Sequence, residues 1–300
     1  METPILSIVT PTYNHAHYLP QFFESIFSQN FDNLEIIITD DASTDNTLEV
    51  LEYYQRKIPY LRVYRNETNQ GPVVTVNQAI QHARGKYLNF CSSDDCLLPG
   101  FCTQLVQWLE LNPSAAICCS DPCFFEGEVL DPAKLRVEKL GTEDQIFHPE
   151  TFWKYANNGF WIAGHATMYR KDILISHGLF AAELFHSCDW FLHFEIAAQY
   201  PIGYVARPLA ALRCTPQSYS GCTSPQKRQL IADRVMNRLK AKKYKRLRQF
   251  FRRTGLLRHF GMPAFLIMLK TPLYWSHIPI IARKFGWDYC KRRFLKRICG

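Results

Sequence analysis

The sequence predicts an α/β fold: a mostly parallel, Rossmann-like sheet flanked by helices, followed by a basic helical extension. Three observations predict it. Short β-branched runs alternate with helical spacings over the first 120 residues, the signature of parallel strands joined by helical crossovers. Three polar clusters, PTYN (11–14), DDAS (40–43) and SSDD (92–95), each follow one of those runs. In such sheets ligands bind beyond the carboxyl ends of the strands, so the topology gathers all three at one edge. The charge is also divided. Residues 225–300 hold 21 Lys+Arg against Asp233 and Asp288, a net +19, while the remainder holds 14 basic and 25 acidic residues.

The elements follow in order. LSIVTP (6–11) is a β-branched run closed by proline and reads as a buried strand. Leu19, Phe22, Phe23, Ile26 and Phe27 recur at helical spacing within 19–29. LEIIIT (34–39) is a second strand, and Ser43 is expected to cap a helix carrying Leu48, Leu51 and Tyr54. LRVYRN (61–66), a helix over 73–83 and KYLNF (86–90) continue the alternation, as do a helix over 101–111 and a strand over 115–121. Beyond these lie a helix with Phe152, Trp153 and Tyr155, and a strand turning into a helix over 164–174. A helix over 188–199 has its apolar face on Phe191, Leu192, Phe194 and Ile196, and strands follow over 202–213. A Pro/Ser/Gly-rich stretch at 215–226 marks a boundary. It divides the chain into residues 1–224 and a tail, 225–300.

With 300 residues, 47% of them hydrophobic and 14% aromatic, the chain has ample material for a large core and is not a disordered protein. Eleven cysteines, an odd number with no CxxC pair, read as reduced residues of a cytosolic protein rather than a disulfide framework. A structural zinc site near Cys118, Cys119 and Cys123 is the second reading. The N-terminus enters a strand with no basic leader region, so the expected location is cytoplasmic.

The acidic clusters carry the chemistry. A nucleoside diphosphate is an anion that a site of aspartates cannot hold directly. A bridging Mg²⁺ or Mn²⁺ with oxygen ligands can join them, and Asp94 and Asp95 could supply those ligands. Taken alone, an Asp–Asp pair fits a capped turn before Pro99 better than a metal site. Asp41 could accept from a base N–H, and Asp45 could compensate a helix dipole. Asp189 stands near a helix start, where an acid is ordinarily a dipole partner.

The run LSIVTPTYNHAHYLPQFFESIFSQNFDNLEIIITDDASTDNT, continued by NQGPVVTVNQAIQHARGKYLNFCSSDDCLLPG, resembles glycosyltransferase family 2 of the bacterial surface-polysaccharide type over about 110 contiguous residues. A looser likeness covers 161–215. The resemblance implies the GT-A fold and a metal-dependent, inverting transfer of a sugar from a nucleotide donor. Carried over by motif, Pro11, Thr12, Tyr13, Asp40 and Asp41 line the nucleoside pocket, with Asp41 reading the base. Asp94 stands near the sugar or ribose, Asp95 binds Mn²⁺ or Mg²⁺, and Asp189 takes the proton of the acceptor hydroxyl. Ser92, Val76 and Thr215 depart from the family pattern, at positions often acidic, arginine and histidine. A non-catalytic, membrane-associated nucleotide-sugar-binding or scaffold paralogue is therefore the alternative.

The tail lies outside the resemblance. Ile231, Val235 and Leu239 sit four apart, as do Leu247 and Phe251, with Lys and Arg between, which predicts amphipathic helices. HFGMPAFLIML and TPLYWSHIPIIA are uncharged but too short to span a bilayer. The expected partners are a nucleotide-sugar donor (a UDP-sugar first), a glycan or lipid-linked acceptor and an anionic membrane surface on its inner face, with no nucleic acid. A basic helical layer packed on the catalytic body is the alternative for the tail.

Overall fold

The computed structural model describes residues 3–215 and 224–284. The first half alternates as its sequence dictates: β1 (Leu6–Thr12), α1 (Leu19–Phe27), β2 (Leu34–Asp40), α2 (Thr47–Gln55), β3 (Leu61–Arg65), α3 (Pro72–His82), β4 (Tyr87–Phe90), β5 (Cys96–Leu97) and α4 (Phe101–Leu111). The second half contains β6 (Ile117–Phe125), β7 (Arg136–Val137), β8 (Gln145–Phe147), α5 (Pro149–Asn157), β9 (Thr167–Arg170), α6 (Lys171–Ser176), α7 (Cys188–Ala197) and β10 (Ile202–Arg213). Helices α8 (Pro225–Arg238), α9 (Lys245–Thr254) and α10 (Gly261–Lys270) form the tail.

One sheet runs β3-β2-β1-β4-β9-β6-β10-β5. The long pairings, β1 with β2 and β4, β2 with β3, and β6 with β10, are parallel. Strand β9 is antiparallel to both of its neighbours, so the sheet is mixed at its centre. The register gives the reason. Asn89 of β4 faces Met168 and Tyr87 faces Arg170, so β9 starts at the carboxyl edge and runs back. The turn before it, Gly164–Ala166, is thereby held at the edge where the polar clusters emerge. Residues 202–213 form one long strand rather than several. Its register slips around Pro208, where the missing N–H interrupts the ladder.

Successive residues of a strand point to opposite faces, and both faces of this sheet are covered. Ile8, Ile36 and Ile38 pack against α1 and α4, while Val9, Ile37 and Leu88 belong to a second core with α3, α5 and α7. Two local expectations fail. Phe27 is 44% exposed at the end of α1, because the helix stops there and the chain turns away. Ser43 does not cap α2. The carboxylate of Asp45 accepts the Thr47 N–H at 2.9 Å, and Ser43 Oγ instead accepts from Asn14 N. Among the described cysteines none is paired and most are buried. No group of three potential metal-binding side chains converges among the described residues.

The tail packs on the body. Its apolar stripes, Ile231 and Val235 on α8 with Leu239 directly after it, and Leu247 and Phe251 on α9, join the same core as α5 and α7. Trp190 stacks on Phe251 at 5.2 Å, and Phe250 meets Phe152 at 5.8 Å. Most of helix α7 is consequently enclosed, its first turn at Asp189 and Trp190 excepted. The polar His193 and Glu195 are buried with its apolar residues, and His193 Nε2 is joined to the Tyr169 hydroxyl at 2.6 Å. Truncating a fully buried Phe at such a junction costs about 3–5 kcal/mol. Phe251→Ala should therefore lower stability by that amount in urea unfolding, with body and tail melting together. A loss under about 1 kcal/mol would show that the tail does not share the core.

Candidate functional site

The carboxyl ends of β1, β2 and β4 are tied together by their own polar residues. Asp41 N donates to the Thr12 carbonyl at 2.8 Å. Asn14, at φ +54°, accepts from Thr44 N at 2.8 Å. Ser93 Oγ donates to Thr12 Oγ1 at 2.9 Å. Local sequence sets these loops, and strand order makes them neighbours.

Beside them opens a cavity of about 410 Å³. Asp94, Asp95 and Asp189, three residues singled out from sequence, line it together, with Arg213 and the apolar Val76 and Phe90 on its walls. The nucleoside-pocket candidates occupy the adjoining strand ends. Pro11 and Thr12 are buried and Tyr13 is 41% exposed. Asp40 lies wholly inside its turn, where Oδ1 accepts the Ser43 N–H and Arg65 approaches Oδ2 at 3.5 Å. Asp41 accepts from Asn66 Nδ2, Gln70 N and Gly71 N, each at 2.8 Å. It thus holds the loop that delivers the N-terminus of α3 to the cavity.

The acidic turn is closed by Asp95 N donating to the Ser92 carbonyl. Strand β5 then pairs antiparallel with the end of β10, which brings Arg213 against it. Asp95 Oδ1 accepts Arg213 N at 2.9 Å, and the guanidinium reaches the Asp94 carbonyl, the Gly127 carbonyl and Gln21 Oε1. Burial, and then the charge of Asp94, push the Asp95 carboxyl well above its usual range, against the opposing pull of Arg213. Two adjacent, mutually repelling carboxylates with only oxygen to offer fit a hard divalent cation, which would reverse that shift. With no third protein ligand converging among the described residues, phosphate oxygens and water would have to complete its shell.

Asp189 is set differently. It lies in the first turn of α7, and its Oδ1 accepts Trp190 N at 2.7 Å. Its Oδ2 faces Gly164 so closely that a Cβ there would lie 2.8 Å away. Burial raises its pKa to about 6. The segment leading into α7 contains Phe185 at φ +52°, ψ −134°, a costly conformation for a bulky residue, and Phe185 also lines the cavity. Sequence reasoning passed over His165 and the buried role of Arg213. Only strand register brings either to the carboxylates.

The sequence profile of glycosyl transferase family 2 matches residues 7–178. The chain belongs to that family. Across 217 residues, 70% of the chain, it is 30% identical to the putative glycosyltransferase EpsH of Bacillus subtilis. It spans about half to three-fifths of the length of the curated relatives it matches over the longest stretches. The fold is similar to that of S. aureus TarS residues 1–349 in complex with UDP-GlcNAc, with TM-score 0.65, 18% identity and coverage of 89% of this chain and 76% of that one. It is also similar to the mannosyltransferase PcManGT of Pyrobaculum calidifontis in complex with GDP-Man and Mn²⁺. There the TM-score is 0.61 and the identity 15%, over 96% of this chain and 81% of that one. The architecture is therefore the GT-A fold.

The Asp189 shift has a measurable consequence. Folding raises its pKa from 3.8 to about 6, so the folded chain holds this proton more tightly than the unfolded one. The cost of the bare carboxylate is absent below pH 3.8, grows as pH rises, and is complete above about 6. Asp189→Asn keeps the bond from Trp190 N and removes that cost. It should be more stable than wild type at pH 8, by up to about 3 kcal/mol, and no more stable near pH 4. Equal stabilities at pH 8 would refute the burial of a charged Asp189.

Proposed function

We propose that the protein is a metal-dependent, inverting glycosyltransferase that moves a sugar from a nucleotide donor to a hydroxyl of a glycan or lipid-linked acceptor. One observation carries the reading: an Asp–Asp pair and a separate, desolvated carboxylate, Asp189, face the same cavity. Asp189 accepts the proton of the acceptor hydroxyl, and a pKa near 6 leaves it both ionised and basic at neutral pH. The freed oxygen forms the new bond to the anomeric carbon. The bond to the diphosphate breaks on the opposite face, and the nucleoside diphosphate leaves with the electron pair. One displacement inverts the centre. Asp95, with Asp94 beside it, would hold Mg²⁺ or Mn²⁺, which neutralises the leaving diphosphate. Pro11, Thr12, Tyr13, Asp40 and Asp41 would form the nucleoside side of the site, a UDP-sugar being the first donor to try.

The finer parts of the reading have separate tests. Asp189→Asn should cut transfer by roughly 10²–10⁴-fold while leaving donor affinity unchanged, and Asp95→Asn should abolish metal-dependent nucleotide binding. A wild-type protein that binds nucleotide sugars yet neither transfers nor hydrolyses them would favour the non-catalytic alternative. If Asp189→Asn turns over at the wild-type rate, the base lies elsewhere.

Attachment to the inner face of an anionic membrane is supported by the tail. No helix among the described residues is long and apolar enough to cross a membrane. Helix α10, however, is apolar on both sides. It buries Ala264 and Met268 on the side that meets α8 and exposes Met262, Leu266 and Leu269, with Leu273 and Trp275 exposed just beyond. An apolar face that stays exposed beside Lys270 and the basic α9 suits the headgroup boundary of an anionic bilayer, and a lipid-linked acceptor would be met there. Leu266→Glu combined with Trp275→Ala should keep the wild-type melting temperature and lose about tenfold or more of the binding to phosphatidylglycerol vesicles at low salt. Unchanged sedimentation with those vesicles would rule this face out.

A further inference from the structure

Helix α9 borders two cavities among the described residues, and their linings differ in charge balance. One, of about 280 Å³, is lined by Arg246 and Arg253 of the helix together with Glu150 and Trp153 of α5. The acid there offsets part of the positive charge. The other, of about 120 Å³, lies between α9 and the turn Pro272–His277. Lys245, Arg248 and Arg252 line it with Leu273, Ser276 and His277, and no acidic residue does so among the described residues. Neither α9 nor the turn contains an acid of its own.

Arg248 is fixed in place. Its Nη1 donates to the Leu239 carbonyl and, at 2.9 Å, to the Ala241 carbonyl, which leaves the rest of its fork without a partner among the described residues. Lys245 and Arg252 form no ion pair or hydrogen bond among those residues. Burial, and then the charges of Arg252 and Arg248, lower the His277 pKa to about 4, so this ring is neutral at physiological pH and adds no charge. Cations gathered around one space repel each other. An anion with several oxygens would bridge them through charge-assisted hydrogen bonds. Lys245, Arg252 and Ser276 are exposed, so such a ligand can reach them from solvent.

The rim narrows the kind of anion. Leu273 lines the cavity and is 46% exposed, and Trp275 beside it is 57% exposed, with Nε1 donating to the Leu269 carbonyl at 3.1 Å. A free phosphate gains nothing from an apolar rim. A phospholipid does, with its phosphate in the cavity and its acyl chains over Leu273 and Trp275.

We infer that the cavity between α9 and the turn Pro272–His277 binds the phosphate of an anionic phospholipid, with Lys245, Arg248 and Arg252 as its cations. This rests on the membrane-attachment reading of the tail and narrows it from diffuse charge attraction to a saturable site.

The test uses the full chain and short-chain lipids below their micelle concentration. Calorimetry is run with dihexanoyl phosphatidate, with glycerol 3-phosphate (the same phosphate without chains) and with dihexanoyl phosphatidylcholine (the same chains on a zwitterionic headgroup). Wild type should bind phosphatidate saturably, and the other two about tenfold or more weakly. Two double variants carry equal charge changes on one helix. Lys245→Gln combined with Arg252→Gln should lose about tenfold or more of the phosphatidate affinity. Arg246→Gln combined with Arg253→Gln, in the cavity that contains Glu150, should stay within about twofold of wild type. Both should keep the wild-type melting temperature, since all four side chains are exposed.

Equal losses in the two doubles would point to diffuse charge and overturn the inference. So would no loss in either, or no saturable binding by wild type. Glycerol 3-phosphate that binds as tightly as phosphatidate overturns the assignment to a lipid in favour of a free phosphate ester. Sedimentation with phosphatidylglycerol vesicles keeps the two readings apart. If wild type sediments and the doubles behave alike, only the site is lost. If wild type sediments with no vesicle, the membrane reading itself falls.

Discussion

The buried guanidinium of Arg213 is the constraint on which the candidate site depends. A cation withdrawn from water is costly unless its donors are met. Here the side chain is 2% exposed, and its donors reach the Asp94 carbonyl, the Gly127 carbonyl and Gln21 Oε1. The rings of Tyr18 and Phe125 lie 4.3 and 4.4 Å from it, within cation–π reach. One side chain at the end of β10 therefore fastens β6, the loop after β1, and the acidic turn after β4. The turn that carries Asp94 and Asp95 is fixed to it through the Asp94 carbonyl, and Arg213 N donates to Asp95 Oδ1. Contacts this complete also make Arg213 a structural cation. It would have to break them to reach a ligand.

The two kinds of carboxylate in the cavity differ in environment rather than in residue type. Asp94 and Asp95 share a turn, feel each other's charge and lie near Arg213. Asp189 stands in a desolvated corner, held by Trp190 N and crowded by Gly164. Identical side chains acquire separate tasks when their surroundings push their pKa values apart. A coupled acidic pair is suited to a cation. An isolated, desolvated acid with a pKa of about 6 is suited to exchanging a proton near neutral pH.

The tail extends the same packing logic. Its α8 and α9 stripes cover α5 and α7, which makes the interior of α7 possible and anchors the helix that carries Asp189. Met262, Leu266 and Leu269 on the outer face of α10 are exposed. A chain that buries the α8 and α9 stripes in the body's core, yet leaves Leu266, Leu269 and Trp275 outside, separates structural burial from surface contact within one run of sequence.

Much of the fold was legible because strand and helix periodicities are local. The runs at 6–11, 34–39 and 61–66 and the helix over 101–111 could scarcely be anything else, and strand order then places PTYN, DDAS and SSDD at one edge. The family resemblance singled out Asp94, Asp95 and Asp189, and the three line one cavity. Several features were not, since each depends on partners distant in sequence. The reversal of β9 follows from where the chain re-enters the sheet. Ser43 does not cap α2 because the helix starts only at Thr47, and its Oγ accepts from Asn14 N instead. Asp41 is engaged by a loop 25 to 30 residues away. The sequence by itself determined the elements, the edge at which they deliver polar groups, and the charge of the tail. Only the tertiary structure decided which polar atoms are desolvated and which remain unpartnered, as at Asp189 and His165, because desolvation is set by every neighbour at once and not by the residue that bears the charge.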